Sequence, residues 1–429
     1  MSIENENIPE EKLKVLFQSL NGVLLRNFDY IENLKRGGDV DICVKNIREA
    51  REALVRELGA PVKVAYRSYV SGYYWVWGYI DLFPDIEWHG AEYLPKQVLF
   101  NKAIRDNGIQ AAHPAHEALI CWFSSLLWGG FFKDRYKNVI ISAAKEYPEE
   151  FLEALQQAVG QHWAHKLFLT ARNGEPEVSK NWVKVLRFQV WWRAFWKSPW
   201  GTLRKWLLFL WYEFRLRLDP PVVWAAVLGL DGSGKTSLIN GIEEIVKNGR
   251  VFAGIRIYHW SPAVLFPKKG AAPVTDPHGK SPRSLIFSLL KLACLVGDWW
   301  IGYFYRIVHL RAKGILVIFD RYYHDLLVDP KRYRYGGPMG LARWLAGFIP
   351  RPDLFLFLDL PAEVAHARKP EIPLDEARAL RQRYLELARA LPNAHVLDAS
   401  LPPAEVADAA EKVILTYLRS RTRKRLGMD

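Results

Sequence analysis

Eight consecutive residues constrain this chain more than any other feature: Gly229-Leu230-Asp231-Gly232-Ser233-Gly234-Lys235-Thr236. They satisfy the pattern Gly-x-x-x-x-Gly-Lys-Ser/Thr at every fixed position. Glycines let the backbone curl around an anion with its N–H groups pointing inward. A helix starting where the loop ends adds partial positive charge. The flanks agree. Val222 to Leu228 is a short apolar run of strand character, and Ser237-Leu238-Ile239 opens a helical pattern. Strand, loop and helix in this order predict a parallel α/β sheet.

The chemistry follows from the same residues. Gly229, Asp231, Gly232, Ser233, Gly234, Lys235, Thr236 and Ser237 are candidates to hold a nucleotide. Lys235 is spaced to reach the outer phosphates, and the Thr236 hydroxyl is a Mg²⁺ ligand in such loops. A nucleotide with Mg²⁺ is therefore the expected ligand of the loop. Downstream, Lys313 to Tyr322 reads as an apolar strand ending in Asp320-Arg321. In parallel sheets ligands bind beyond the carboxyl ends of strands. There Asp320 can hold the Mg²⁺ shell and Arg321 can clamp a phosphate through its forked donors. A third strand, Pro352 to Leu360, precedes a helix starting near Ala362.

These residues resemble the thymidylate kinase family of nucleoside monophosphate kinases. The carriers are the phosphate loop with Asp231 inside it, Asp320-Arg321-Tyr322, the strand Pro352 to Pro361, the segment Arg381 to Leu387, and a closing strand at Asn393 to Ser400. The resemblance spans about residues 222–418. It implies a P-loop kinase that uses ATP and Mg²⁺ as cofactors, with Lys235, Asp320 and Arg321 as catalytic residues, Arg321 on the acceptor phosphate, and a homodimer. The chain also departs from the family. Tyr258-His259-Trp260-Ser261-Pro262 stands where Arg-Glu-Pro-Gly-Gly is expected, the lid is cut to Ala367 to Glu371, and Lys331 to Gly337 is inserted. His259, Arg332 and Arg334 are candidates to line a different acceptor pocket. The acceptor is thus open between a nucleoside monophosphate and a sugar, glycan end or lipid-linked group at a membrane face. An ATP-gated binding or scaffold protein is the reading from another class.

The front of the chain carries a second motif. In Gly37-Gly38-Asp39-Val40-Asp41-Ile42 two carboxylates lie two residues apart, which on a strand puts both on one face. Asp81, in Ile80-Asp81-Leu82, is a third on another strand. Such a set can share Mg²⁺ for displacement at a phosphate. It resembles the nucleotidyltransferase superfamily over about residues 12–172, which implies a possible second activity and a helical half at about 110–175. The expected metal ligands are Thr236 and Asp320 in one domain and Asp39, Asp41 and Asp81 in the other. The superfamily's Gly-Ser turn is not evident; Leu25-Arg26-Asn27-Phe28 occupies its place.

The 429 residues divide in this reading into an α+β nucleotidyltransferase-like domain (1–175), a basic tryptophan-rich bridge (176–220) and the P-loop domain (221–429). Net charge follows the division: −3 over residues 1–180, +6 over 181–220 and +10 beyond. A positive field suits an anionic partner, although a solubilising surface accounts for it equally. Seven of the 18 tryptophans fall between Trp182 and Trp211, interleaved with Lys and Arg. That composition suits an anionic membrane interface, or a linker packed on its neighbours. No nucleic-acid reading module accompanies it, so nucleic acid is not an expected partner. Three cysteines point to a reducing compartment, and the acidic start lacks a signal-like apolar core. The expected location is cytoplasmic, with a peripheral position at the inner membrane face as the alternative that the bridge leaves open. No apolar run reads as long enough to span a bilayer; Leu285 to Tyr305, interrupted by Lys291 and Asp298, reads as a buried kinase helix.

Overall fold

The computed structural model describes residues 10–26, 34, 38–106, 109–265, 278–279 and 281–428, and the chain forms two compact units, Met1–Arg215 and Leu216–Asp429. In the first unit the described strands are β1 (Gly22–Leu24), β2 (Asp39–Val44), β3 (Lys63–Tyr66), β4 (Ser71–Tyr74), β5 (Tyr79–Phe83), β6 (Ile86–Trp88), β7 (Ala91–Leu94), β8 (Ile104–Asp106) and β9 (Ile109–Ala111). Seven form a mixed sheet in the order β3-β4-β5-β2-β1-β9-β8, and β6 with β7 forms a separate hairpin. β2 runs parallel to β5, and the register sets Asp41 beside Asp81.

Exposure does not alternate along β2: every residue after Asp39 is buried, because the strand is central and covered on both faces. The aromatic run Tyr74 to Phe83 is not one continuous strand. It holds the turn of a hairpin, in which the Trp75 N–H donates to the Gly78 carbonyl at 2.9 Å, followed by β5. The helix Ile47–Leu58 starts where Asn46 accepts from the backbone N–H groups of Arg48 and Glu49.

The helical half runs from Pro114 to Arg172. Its core holds Trp122, Phe123, Phe151, Leu155 and Leu167. Helices end at Gly129-Gly130 and at Tyr147, and Gly160 (φ 83°) separates helix Pro148–Val159 from Gln161–Arg172. The tryptophan-rich segment forms helices Lys180–Lys197 and Pro199–Leu218. Val183, Leu186, Val190 and Ala194 of the first, at helical spacing, enter that core.

The second unit has strands β10 (Trp224–Gly229), β11 (Gly254–His259), β12 (Ile315–Asp320), β13 (Leu354–Asp359) and β14 (Ala394–Asp398). They form an all-parallel sheet in the order β11-β12-β10-β13-β14. Every residue of β10 is buried, as expected of a central parallel strand with helices on both faces. Helix Lys235–Asn248 packs closely on helix Pro403–Leu426: a Cβ at Gly241 would lie 2.7 Å from that of Ala407.

The apolar helix is a correction. With its π-turn at Tyr303–Ile307 the helical stretch Leu285–Ala312 is 28 residues, long and apolar enough by length and composition to cross a membrane. Nor is it buried throughout. One face packs on the sheet, where Trp299 meets Trp224 and Phe319, and buried Asp298 accepts from the N–H groups of Ala263, Val264 and Leu265. The other face, including Ile286, Phe287, Leu290 and Phe304, is exposed. Lys291, which donates to the Tyr333 carbonyl, and Asp298 interrupt the one-dimensional pattern but lie on the packed side, so the exposed stripe from Leu285 to Tyr305 is apolar.

Candidate phosphate-binding site

The loop between β10 and helix Lys235–Asn248 owes its shape to glycine. Gly232 (φ 82°) and Gly234 (φ 93°) adopt left-handed backbone that other L-residues enter at a cost. Space forbids a side chain as well: a Cβ at Gly232 would lie 2.4 Å from the Ala365 carbonyl oxygen. The helix begins at Lys235, directly after Gly234, so its free N–H groups face the loop.

Lys235 is buried and donates to the carbonyls of Gly229 (2.9 Å) and Leu230 (2.6 Å), with Asp231 at 3.6 Å. Burial, with Arg321 adding repulsion, lowers its ammonium to about 8. Asp231 is the hub of the site, ion-paired to both Arg321 and Arg332. Burial raises its carboxyl, but Arg321, Lys235 and Arg332 outweigh that and hold it well below the usual range. Arg321 sits at φ 70° just past β12, a conformation that turns its guanidinium to the loop. Asp320, the last residue of β12, receives His259 Nδ1 at 3.1 Å across the β11–β12 pairing. Burial raises Asp320; the His259 hydrogen bond and Lys235 reverse the shift to a net lowering.

Two buried polar atoms here lack a hydrogen-bond partner: Ser233 Oγ and Asp320 Oδ1. Buried polar groups are seldom left so, and a phosphate for the donor and Mg²⁺ for the carboxylate fit them. Thr236, the other expected metal ligand, and Ser237 are exposed at the first helical turn.

The segments flagged as departures divide. Arg332, in the insertion, reaches Asp231, and His259 reaches Asp320. Arg334 instead donates to the Ser281 carbonyl at 3.0 Å. Asp325 was missed. Fully buried, it accepts from the Tyr322 N–H (2.8 Å) and the Tyr384 hydroxyl (2.5 Å), and lies 3.6 Å from Arg321. No motif marks it in the sequence; its place four residues after Arg321 is the one cue. Leu230, Asp231, Arg321, Arg332, Lys369 and Tyr384 line a cleft next to the loop.

In the first unit Asp39, Asp41 and Asp81 come together on β2 and β5, with Arg26 among them. It pairs with Asp39 at 2.9 Å and with Asp41, and also donates to the Tyr136 hydroxyl. Asp41 Oδ1 is buried without a partner. Burial and the neighbouring Asp41 and Asp39 push Asp81 up to about 8, and burial lowers Lys63 to about 7. Among the described residues no group of three His, Cys, Asp or Glu side chains is arranged to hold a metal ion. Asn27, Phe28 and Gly37, part of the motif reading, lie outside the described residues.

No family model matches the chain. Among curated proteins, a thymidylate kinase of Xanthomonas campestris pv. campestris is 30% identical over 223 residues, covering 48% of this chain and 89% of that protein. A probable thymidylate kinase of Pyrobaculum aerophilum is 30% identical over 216 residues, covering 45% and 96%. Probable thymidylate kinase 1 of Saccharolobus solfataricus is 28% identical over 210 residues, covering 44% and 95%. Each match takes a little under half of this chain, about the size of the second unit.

Proposed function

From the premise that this chain belongs, through its second unit, to the thymidylate-kinase-like P-loop kinases, we propose that this unit transfers the γ-phosphoryl group of ATP to a nucleoside monophosphate. The observation that carries the reading is the glycine loop at the start of helix Lys235–Asn248, with the Arg321 guanidinium beside it. Lys235 and the loop N–H groups hold the ATP phosphates. Ser233 Oγ adds a donor there. Thr236 and Asp320 would hold Mg²⁺, which would supply charge neutralisation at the phosphates. Arg321 binds the acceptor phosphate and fixes it in line. Little covalent work is asked of the protein in such a transfer; positioning and preformed charge supply most of the rate.

Asp231 gives this reading an internal switch of partners. In the fold it neutralises Arg321 and Arg332 together. An arriving acceptor phosphate competes with it for the same guanidinium groups. Turnover of labelled ATP against a panel of nucleoside monophosphates tests the proposal, with sugars and glycan ends in the same panel. Transfer only to a sugar would replace the nucleotide acceptor and keep the kinase. ATP binding with no phosphorylated product at all would favour the switch or scaffold reading.

For the first unit we propose a nucleotidyl transfer in which Arg26 releases Asp39 and Asp41 to Mg²⁺ beside Asp81, and Mg²⁺ titration of Arg26→Ala tests that.

A further inference from the structure

Helix Pro199–Leu218 has two unlike faces. The inner face is tied to the first unit. Phe209 stacks on His89 with ring centroids 4.3 Å apart, Lys205 Nζ lies 2.9 Å from Asp85, and Glu213 pairs with Arg67. The helix backbone lies so close at Trp206 that a Cβ on Gly90 would fall 2.6 Å from its nitrogen. These contacts leave the helix no freedom to roll, so the opposite face is held outward.

That outer face is apolar. At about 100° per residue, Trp200, Leu207, Trp211 and Leu218 fall within about 40° of one another. They are 82%, 54%, 56% and 70% exposed, and Phe214, beside them, is 51% exposed. Phe188, Trp192 and Trp196 continue the pattern on helix Lys180–Lys197 at spacings of four. Indoles are costly to leave in water and are ordinarily at least half covered.

Charge identifies the cover. The exposed charged residues of both helices are Lys180, Lys184, Arg193, Lys197, Arg204 and Arg215, all basic. Among the described residues none of the six forms an ion pair. Arg204 and Arg215 flank the tryptophan stripe on one side, about 40° and 60° from Trp200. The single acid between residues 180 and 218, Glu213, is spent inward on Arg67. Arg187 is turned in as well, donating to the Leu127 carbonyl at 3.0 Å. What remains outside is a face of tryptophan and leucine rimmed by cation alone.

We propose that this face docks on an anionic lipid bilayer, the helix Pro199–Leu218 lying in the interface with Trp200 and Trp211 at headgroup depth and Arg204 and Arg215 on lipid phosphates. A second protein copy is disfavoured as the occupant. A self-complementary contact across a two-fold axis would bring like charges together, with no acid on the face to answer them.

The test is flotation of the full chain with large unilamellar vesicles, either phosphatidylcholine alone or phosphatidylcholine with about a third phosphatidylglycerol. ATP affinity is measured in parallel to show that each variant is folded. The expected result is binding to the anionic vesicles at least about tenfold tighter than to the neutral ones, weakened by salt, with a blue shift of tryptophan emission. Trp200→Ser with Trp211→Ser is expected to weaken binding to both vesicle types about tenfold. Arg204→Glu with Arg215→Glu is expected to erase the anionic preference. Absence of vesicle binding overturns the proposal, and so does binding that both double variants leave unchanged. Light scattering decides the other occupant: a dimer in the absence of lipid that Trp200→Ser with Trp211→Ser converts to monomer assigns the face to a second copy and overturns it too. None of these readouts depends on which acceptor the second unit phosphorylates.

Discussion

His259 Nδ1 lies 3.1 Å from the Asp320 carboxylate, joining the carboxyl ends of two neighbouring parallel strands at the phosphate loop. The contact helps hold Asp320 below its usual range against burial, which pushes the other way. A carboxyl with a lowered folded value contributes stability above its unfolded pKa and loses it as pH falls through the folded one. His259→Ala removes one stabilising partner, so Asp320 takes up its proton at higher pH. The acid limb of the kcat/KM profile for ATP is expected to move upward in pH. An unmoved limb would mean that Asp320 is not the group whose ionisation the reaction requires.

Lys235→Ala removes the buried ammonium that faces the loop. ATP turnover is expected to fall by about a thousandfold or more, since one positioned charge in such a site supplies that order of rate. Melting temperature should change little or rise, because burying the charge opposes folding. Steady-state kinetics and a thermal scan read the two effects separately.

Gly232→Ala tests the backbone of the loop. The new Cβ meets the Ala365 carbonyl at 2.4 Å and the residue is left at φ 82°. The loop must move away from helix Ala362–Arg368 or unfold locally. A cost of about 1–3 kcal/mol in stability and at least a tenfold loss of ATP affinity are expected. Calorimetry of ATP binding checks it.

Glu117 gives the first unit a pH signature. Burial raises its carboxyl to about 7, with Arg26 opposing. Its folded value lies above its unfolded value near 4.5, so the folded state holds the extra proton in that window. Stability from this group is therefore complete below the unfolded value and declines as pH rises towards 7. Glu117→Gln should raise stability at pH 8 by about 1–2 kcal/mol and leave it nearly unchanged at pH 4, measured by denaturant unfolding of the first-unit transition.

Arg26→Met would leave Asp41 in the interior with its counter-charge removed. Breaking a buried pair from one side costs about 3–5 kcal/mol, and that loss is expected in the same unfolding experiment. Reversal of the loss by added Mg²⁺ would point to a metal taking the place of the guanidinium.

How far the sequence carried the account depended on where the relevant contacts lie. The phosphate loop is a local object: glycines, lysine and hydroxyl sit within eight residues, between a legible strand and a legible helix. Asp320 and Arg321 were legible because a strand end is a local event as well. The pairing of Arg26 with Asp39 and Asp41 was not, since it forms only when β1 and β2 align, and nothing in Leu25-Arg26 announces it. The turn between β4 and β5 went unread because Trp75-Val76-Trp77-Gly78 lacks the Asn-Gly or Pro signal that marks most turns. The tryptophan-rich helices could not be divided into faces by charge spacing alone. Arg187 and Lys205 point inward for reasons supplied by Leu127 and Asp85, far away in sequence. Asp325 was overlooked because a lone acid in a short helix has no motif until Tyr384 and Arg321 close around it.

The central claim is phosphoryl transfer by the second unit. It is tested most directly by incubating the full chain and Mg²⁺ with ATP labelled in its γ-phosphoryl group and a panel of nucleoside monophosphates, and resolving the labelled products. The account predicts label in a nucleoside diphosphate, lost in Lys235→Ala and sharply reduced in Arg321→Ala. Label appearing only as inorganic phosphate, or transfer that Lys235→Ala leaves intact, would contradict it.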